Sequence, residues 1–321
     1  MNKPPNKPPV NPMDLSKIRT YSLAGRKSKV CASDFGRPWK AGGRFDEFLD
    51  RLPAILGAAD LRRVIDAIIS AKKNKKPVIF AMGAHVIKVG LSPLIIDLME
   101  KGIITAVVLN GAGIIHDFEI AFAGRTSEDV SAVLHGGDFG MAKETGEHLG
   151  CAISMAGEKN LGLGEAVGRY MTETSLPHLD DSIIARAFCL GVPVTVHVAM
   201  GTDIIHMHPG FDPAAAGAAS HKDFRILASI VAGLSGGVFI NAGSAVILPE
   251  VFLKAVSLAI NLGHDISDIT CVNLDFIRHY RPMTNVVGRP AQHGGIGISL
   301  VGHHEIMIPL IAAGVIEKLA S

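Results

Sequence analysis

From residue 46 onward the apolar positions fall into a repeating order. Residues 46–73 set Phe48, Leu52, Ile55, Leu56, Leu61, Val64, Ile65, Ile68 and Ile69 at helical spacing. Five short apolar, β-branched runs follow, at 77–82, 105–109, 193–199, 237–241 and 269–273. Each is near-continuous rather than alternating, the pattern of a strand covered on both faces. Helical spacings separate them, at 91–101, 116–123, 142–155, 181–190, 224–234, 249–262 and 304–319. Strand, loop and helix in this alternation predict an α/β fold with a doubly wound, mainly parallel sheet. The stretch 127–177 holds two or three helical patterns and no strand, so a helical insertion is expected there. Residues 46–321 carry no repeat and no linker and are expected to form a single domain.

The first 45 residues differ. The start, MNKPPNKPPVNP, is proline-rich and polar, the composition of a mobile tail and not of a signal peptide. Residues 14–45 are basic and irregular, an arm expected to lie on the domain or on a neighbouring subunit. Lys and Arg total 31 against 30 Asp and Glu, which favours neither nucleic acid nor an anionic membrane as partner. No apolar run approaches the ~20 residues of a membrane span. The four cysteines are scattered, which fits a reducing compartment and a cytoplasmic protein. Charged residues are only 19% and hydrophobic ones 48%, an apolar excess that suggests burial against other subunits.

In an open parallel sheet, ligands bind beyond the carboxyl ends of the strands. The loops there are 83–88 (GAHVIK), 110–113 (NGAG), 200–203 (MGTD), 242–244 (AGS) and 274–275 (LD). Most precede a helix, so backbone N–H groups and positive helix ends share one crevice, which suits a pyrophosphate. The usual dinucleotide fingerprint is absent, because His116 stands at the third glycine position of Gly111-Ala112-Gly113. His116 and Glu119, three apart, share a helix face and could accept a proton together; Asp117 could act beside them or simply cap the helix. Asp203, His206 and His208 form a second cluster near His197. His206 and His208 would face the same way on an extended segment and line a polar pocket or hold a metal.

These loops resemble those of deoxyhypusine synthase, which binds NAD on a Rossmann-like sheet and oxidises a polyamine carbon–nitrogen bond. The likeness runs through most of residues 76–316. Residues 83–90 look like that family's first cofactor-contacting loop. Residues 108–118, VLNGAGIIHDF, are similar to its glycine-rich turn, with Asp117 on its aspartate and Ile115 and His116 where its glutamates stand. Residues 201–205, 241–244, Asn273 and 302–309 resemble its Gly-Asp-Met-Ile segment, glycine loop, next strand end and closing helix. Residues 80–129 also resemble the carboxyl-terminal domain of NAD-dependent ornithine cyclodeaminases of the arginine dihydrolase type, through His116, Asp117 and Glu119.

The resemblance implies NAD as cofactor, contacted by Gly83, His85, Lys88, Asn110, Gly111, Ala112, Gly113, Gly243, Ser244, Asn273, Gly302 and His303. It implies a homotetramer and an NAD-dependent enzyme acting at a carbon–nitrogen bond of a small amine, polyamine or amino acid. His116, Asp117, Asp203, His206 and His208 are the candidate catalytic residues, with no metal. Two alternatives stand beside this reading: a catalytically silent NAD-binding or regulatory protein, and a metal-dependent hydrolase using His197, His206 and His208.

One departure is chemical. Deoxyhypusine synthase captures the aminobutyl group on a lysine near the chain end, and here residues 255–317 contain no lysine. Arg289 stays protonated and cannot replace that nucleophile. Incubation with spermidine and NAD followed by borohydride is therefore expected to leave the intact mass unchanged. A stable aminobutyl adduct on any lysine of this chain would contradict that expectation.

Overall fold

The computed structural model describes residues 10–292 and 294–320. Its sheet comprises β1 (Val78–Met82), β2 (Ala106–Asn110), β3 (Val194–His197), β4 (Val238–Ala242), β5 (Thr270–Asp275) and β6 (Ile296–Val301). The spatial order is β3-β2-β1-β4-β5-β6 and every pairing is parallel. The order reverses between β1 and β4, the switch point at which doubly wound sheets open a ligand crevice.

The helices are α1 (Phe45–Arg51), α2 (Leu56–Lys73), α3 (His85–Lys88), α4 (Ser92–Glu100), α5 (Gly111–Ala123), α6 (Val130–Val133) and α7 (Lys143–Glu158). They continue as α8 (Leu163–Thr174), α9 (Ile183–Leu190), α10 (Pro213–Ala232), α11 (Ile247–Asn261), α12 (Tyr280–Pro282) and α13 (His304–Ala320). Successive strand residues serve opposite cores, as the pleat dictates. Val78, Phe80 and Met82 join one cluster with α2, α4, α5, α8, α9 and α13. Ile79 and Ala81 join another with the carboxyl half of α10 and with α11. That double burial is why the strands read as continuous apolar runs.

Four elements depart from the sequence reading. The helical stretch 46–73 is two helices, with Leu52 capping the first and Leu56 at φ 51° opening the second. The helix expected over 224–234 begins eleven residues earlier, at Pro213. The expected tight turn at 110–113 does not form: β2 runs directly into α5, and Asn110 caps it by accepting from Gly113 N–H at 3.1 Å. A sixth strand, β6, lies at the sheet edge, half exposed, where Gly297 breaks the apolar pattern.

A buried carboxylate ties the inserted helices to the sheet. Asp223 on α10 accepts from Gly164 N–H of α8 at 2.9 Å and from Val196 N–H of β3 at 2.8 Å. Its second oxygen has no partner and leaves no room for a side chain at Gly162, where a Cβ would lie 2.0 Å away. Burial raises this carboxyl to about 7, against the opposing pull of its backbone donors. A folded value above the unfolded one stabilises the fold fully below the unfolded pKa of 3.8, and the benefit is lost as pH rises through about 7. Raising the pH from 5 to 8 should therefore destabilise the wild type, Asp223 contributing roughly 2–4 kcal/mol. Asp223→Asn, which keeps an acceptor for both N–H groups, should flatten that slope in thermal melts. An equal slope in both proteins would contradict this role.

Candidate active site

The carboxyl edge of the sheet divides at the switch point into two halves, bridged by α3. On one side lies a cavity of 220 Å³ between the ends of β1, β2 and β3 and the inserted segment 127–139. Lys88, His116, Glu119, Glu128 and Asp203 reach it, and Ala112, Ile115, Val130, Phe139 and Ile204 form apolar walls. Three carboxylates against one lysine and one histidine make this cavity acidic. Larger clefts of 650 and 450 Å³ flank α11, away from the carboxyl ends of the strands.

His116 sits in the second turn of α5, with Glu119 on the same face one turn on. Thr126, just beyond α5, joins them. Its hydroxyl donates to Glu119 Oε2 and meets His116 Nδ1 at 2.6 Å. Thr145 of α7 donates to Glu119 Oε1 at 3.3 Å. Burial pushes the Glu119 carboxyl up, but the His116, Thr126 and Thr145 contacts outweigh it and hold it below its usual value. Glu119 is thus ionised and can only accept, so the Thr126 proton points to it. The Thr126 oxygen must then accept from His116 Nδ1–H, which leaves the Nε2 lone pair as the basic atom of the ring.

Asp203 stands opposite. Its Oδ2 is buried without a hydrogen-bond partner, and burial raises the carboxyl, partly countered by His206. The oxygen lies so close to Gly111 that a Cβ there would be 1.9 Å away. Glycine is required at this position by that approach. His206 Nδ1 accepts from Gly201 N–H at 3.1 Å and Asp203 N–H at 3.2 Å, which places its proton on Nε2. That Nε2 is buried and unbonded, 3.9 Å from Asp203 Oδ2. A donor and an acceptor are left facing each other beside the cavity.

Other expected site residues lie elsewhere. Asp117 points away from the cavity: fully buried, it accepts from Ser182 Oγ, Ile183 N–H at 2.9 Å and Ile184 N–H at 3.1 Å, capping α9. Burial lifts it to about 6 against these donors. His208 does not face the way of His206, because 204–207 is a 3₁₀ turn and not an extended segment. Its Nε2 donates instead to Gly140 O at 2.8 Å, pinning the insertion. His197 is buried beside Thr195 Oγ1 at 3.1 Å, and burial lowers it to about 4. Among the described residues no three His, Cys, Asp or Glu side chains gather as metal ligands.

The expected cofactor residues split between the halves. Lys88 and Ala112 line the cavity. Asn110 caps α5, Gly113 packs on Leu109, and the Asp203 carboxylate lies against Gly111, so the start of α5 is taken up by the chain itself. The other half, at β1, β4, β5 and β6, is a backbone cradle. Gly83 N–H donates to Ala242 O at 2.9 Å, and a Cβ on Gly83 would lie 2.8 Å from Gly243 O. Gly243, at φ 71°, rests on His304, where a Cβ would meet the ring at 2.6 Å. His304 Nε2 donates to Leu274 O at 3.0 Å, leaving a buried Nδ1 lone pair without a donor.

Asn241 donates to Asn273 Oδ1 at 2.8 Å and to Ser244 O at 2.9 Å, and its own buried Oδ1 has no partner. Asn273 therefore supports the loop from below rather than facing the crevice. Ser244 Oγ accepts from Leu248 N–H at 3.3 Å. His85, Phe276, His303 and His304 form a ring cluster, with Phe276 and His303 stacked at 5.9 Å. Burial and His304 hold His85 below its ordinary value. Gly302 ends β6, its N–H donating to Asp275 O at 3.1 Å.

No family model matches the sequence, and no curated protein matches it. Among solved structures, a candidate deoxyhypusine synthase from Entamoeba histolytica shares the fold at a TM-score of 0.52 and 13% identity. That match covers 88% of this chain and 96% of the other. AgrE, in a ternary complex with ornithine and NAD+, matches at a TM-score of 0.52 and 12% identity over 84% of this chain. The chain spans 35% of the AgrE chain. At these identities the likeness shows a shared α/β fold, the one the loop resemblance implies.

The Glu119–Thr126–His116 chain makes a spectroscopic prediction. Neutral His116 should carry its proton on Nδ1 in the ¹⁵N spectrum of the imidazoles, and Thr126→Val should move it to Nε2. A wild-type His116 protonated on Nε2 would contradict the assigned relay.

Proposed function

We propose that the chain is an NAD-dependent enzyme acting at a carbon–nitrogen bond of a small amine, polyamine or amino acid, and that it is not a deoxyhypusine synthase. The observation that carries this reading is the acidic 220 Å³ cavity, with a basic histidine nitrogen, opening beside the cradle at the switch point. Asp203, Glu119 and Glu128 supply negative charge for a cationic substrate at the cavity they line.

The residues present fit NAD. The loops of Gly83 and Gly243, packed on each other and on His304, bring the ends of β1 and β4 together at the switch point, where a pyrophosphate would lie. His85, Phe276 and His303 offer ring faces to a base. Bound there, NAD supplies a hydride acceptor. The chain's own residues then hold the amine, exclude water with the apolar walls, and take a proton on His116 Nε2. The fold shared with AgrE, whose complex holds ornithine and NAD+, supports this reading. The lysines nearest the gap at 255–317 are engaged elsewhere, Lys254 with Glu250 and Lys318 with Asp66 at 2.9 Å.

Millimolar NAD should raise the melting temperature of wild type and of His116→Ala alike, since the cradle holds the cofactor. In amine-dependent NADH formation, His116→Ala should lose roughly 10²–10⁴-fold in rate. No melting shift with NAD would overturn the cofactor assignment. Equal rates in mutant and wild type would remove His116 from the chemistry.

A further inference from the structure

Charged groups also converge away from the carboxyl edge. The 650 Å³ cleft opens between α10 and α11, the helices that seal Ile79 and Ala81 from the other side. Its size lies within the ~300–1,000 Å³ of small-molecule sites. Along α10, Ala218, Lys222, Arg225, Ser229 and Ala232 follow one another at helical spacing on the face turned from the core. Leu258 and Leu262, from the end of α11, stand across the cleft with His264 beyond them. The small side chains of α10 leave the space between the helices open.

Every ionisable side chain lining this cleft is basic: His221, Lys222, Arg225 and His264. Composition does not account for that. Residues 45–321 carry 21 Lys and Arg against 28 Asp and Glu, a net of −7. In a body of that charge a basic group readily finds a carboxylate, as Arg63, Arg169, Arg186 and Lys254 do. Among the described residues, Arg225 makes neither an ion pair nor a side-chain hydrogen bond, and Lys222 donates only to the carbonyl of Asn160. That bond fixes the Lys222 ammonium and leaves two of its three donors. Asp265, beside His264, accepts instead from Ser267 N–H and Oγ at 2.9 and 3.0 Å.

We infer that this cleft is a second ligand site, for a small anion bearing two or more linked phosphates. Basic groups without counter-charges in a concave wall focus a positive potential on it. The Arg225 guanidinium offers paired donors to phosphate oxygens, and Lys222, one turn before it on the same face, adds a point charge. The site is separate from the cradle proposed for NAD. The cradle lies at the start of α11, where Ser244 accepts from Leu248 N–H, and the cleft at its end, roughly 15–20 Å along the helix.

Titration calorimetry of the wild type with inorganic tripolyphosphate, at neutral pH and low salt, should show saturable binding at one site per chain. Arg225→Glu should weaken it roughly 10–100-fold, the worth of one charged contact, with an unchanged circular dichroism spectrum. Arg63→Glu, the same charge change on α2, should leave the affinity as it is. ADP and tripolyphosphate distinguish the sources of such an anion: tighter Arg225-dependent binding of ADP names a nucleotide, and equal binding names the phosphate chain alone. NAD should still raise the melting temperature of Arg225→Glu. A wild type that takes tripolyphosphate but not NAD would leave the cleft standing and overturn only the cofactor assignment. No saturable binding, equal affinity in Arg225→Glu, or an equal loss in Arg63→Glu would overturn the site. Loss of the NAD shift in Arg225→Glu would give the cleft to the dinucleotide itself and overturn its separateness.

Discussion

A parallel sheet has to be covered on both faces, because its strands cross from edge to edge through helices that return over it. That constraint organises this molecule. With Phe80 and Met82 sealed on one side and Ile79 and Ala81 on the other, polar chemistry is driven to the strand ends or to burials held by backbone N–H groups. Asp223 and Asp117 illustrate the second outcome. Each is buried, carries backbone donors, and holds inserted or crossing helices in place. His116, Asp203 and the Gly83–Gly243 contact illustrate the first. They lie where the sheet stops and the strand order reverses.

The sheet was legible because double burial writes itself as unbroken apolar runs. β6 was not, since an edge strand that includes Gly297 and the exposed Ile296 buries only part of one face. The start of α5 was misjudged for a local reason: Asn-Gly-Ala-Gly has turn chemistry, yet Asn110 serves as cap and Gly111 is demanded by the Asp203 carboxylate, 92 positions away. In the site, His116 and Glu119 follow from helical spacing alone. Thr126 and Thr145 do not, because their contacts with Glu119 depend on how the insertion folds back, and no local pattern encodes that. From sequence Asp117 either acts beside His116 or caps its own helix; it does neither, because Asn110 caps α5 and Asp117 accepts from the first N–H groups of α9, 66 and 67 positions on.

The two halves of the carboxyl edge have different physical characters. The cradle is backbone, glycine and rings, with acceptors left unbonded at Asn241 and His304. The cavity is side chains and carboxylates, with an unbonded oxygen at Asp203 and a relay that fixes the His116 tautomer. α3 joins them, with His85 on the ring cluster and Lys88 on the cavity, one helical turn apart. A ligand with a phosphate-linked, aromatic body and a cationic co-substrate would satisfy both halves at once.

A crystal structure of the protein with NAD bound tests this division most directly. The pyrophosphate should lie against Gly83 and Gly243, the adenine end on the Phe276 and His303 side, and the nicotinamide at the mouth of the cavity facing His116. NAD bound at another surface, or in the reverse sense with the nicotinamide away from His116, would contradict the account.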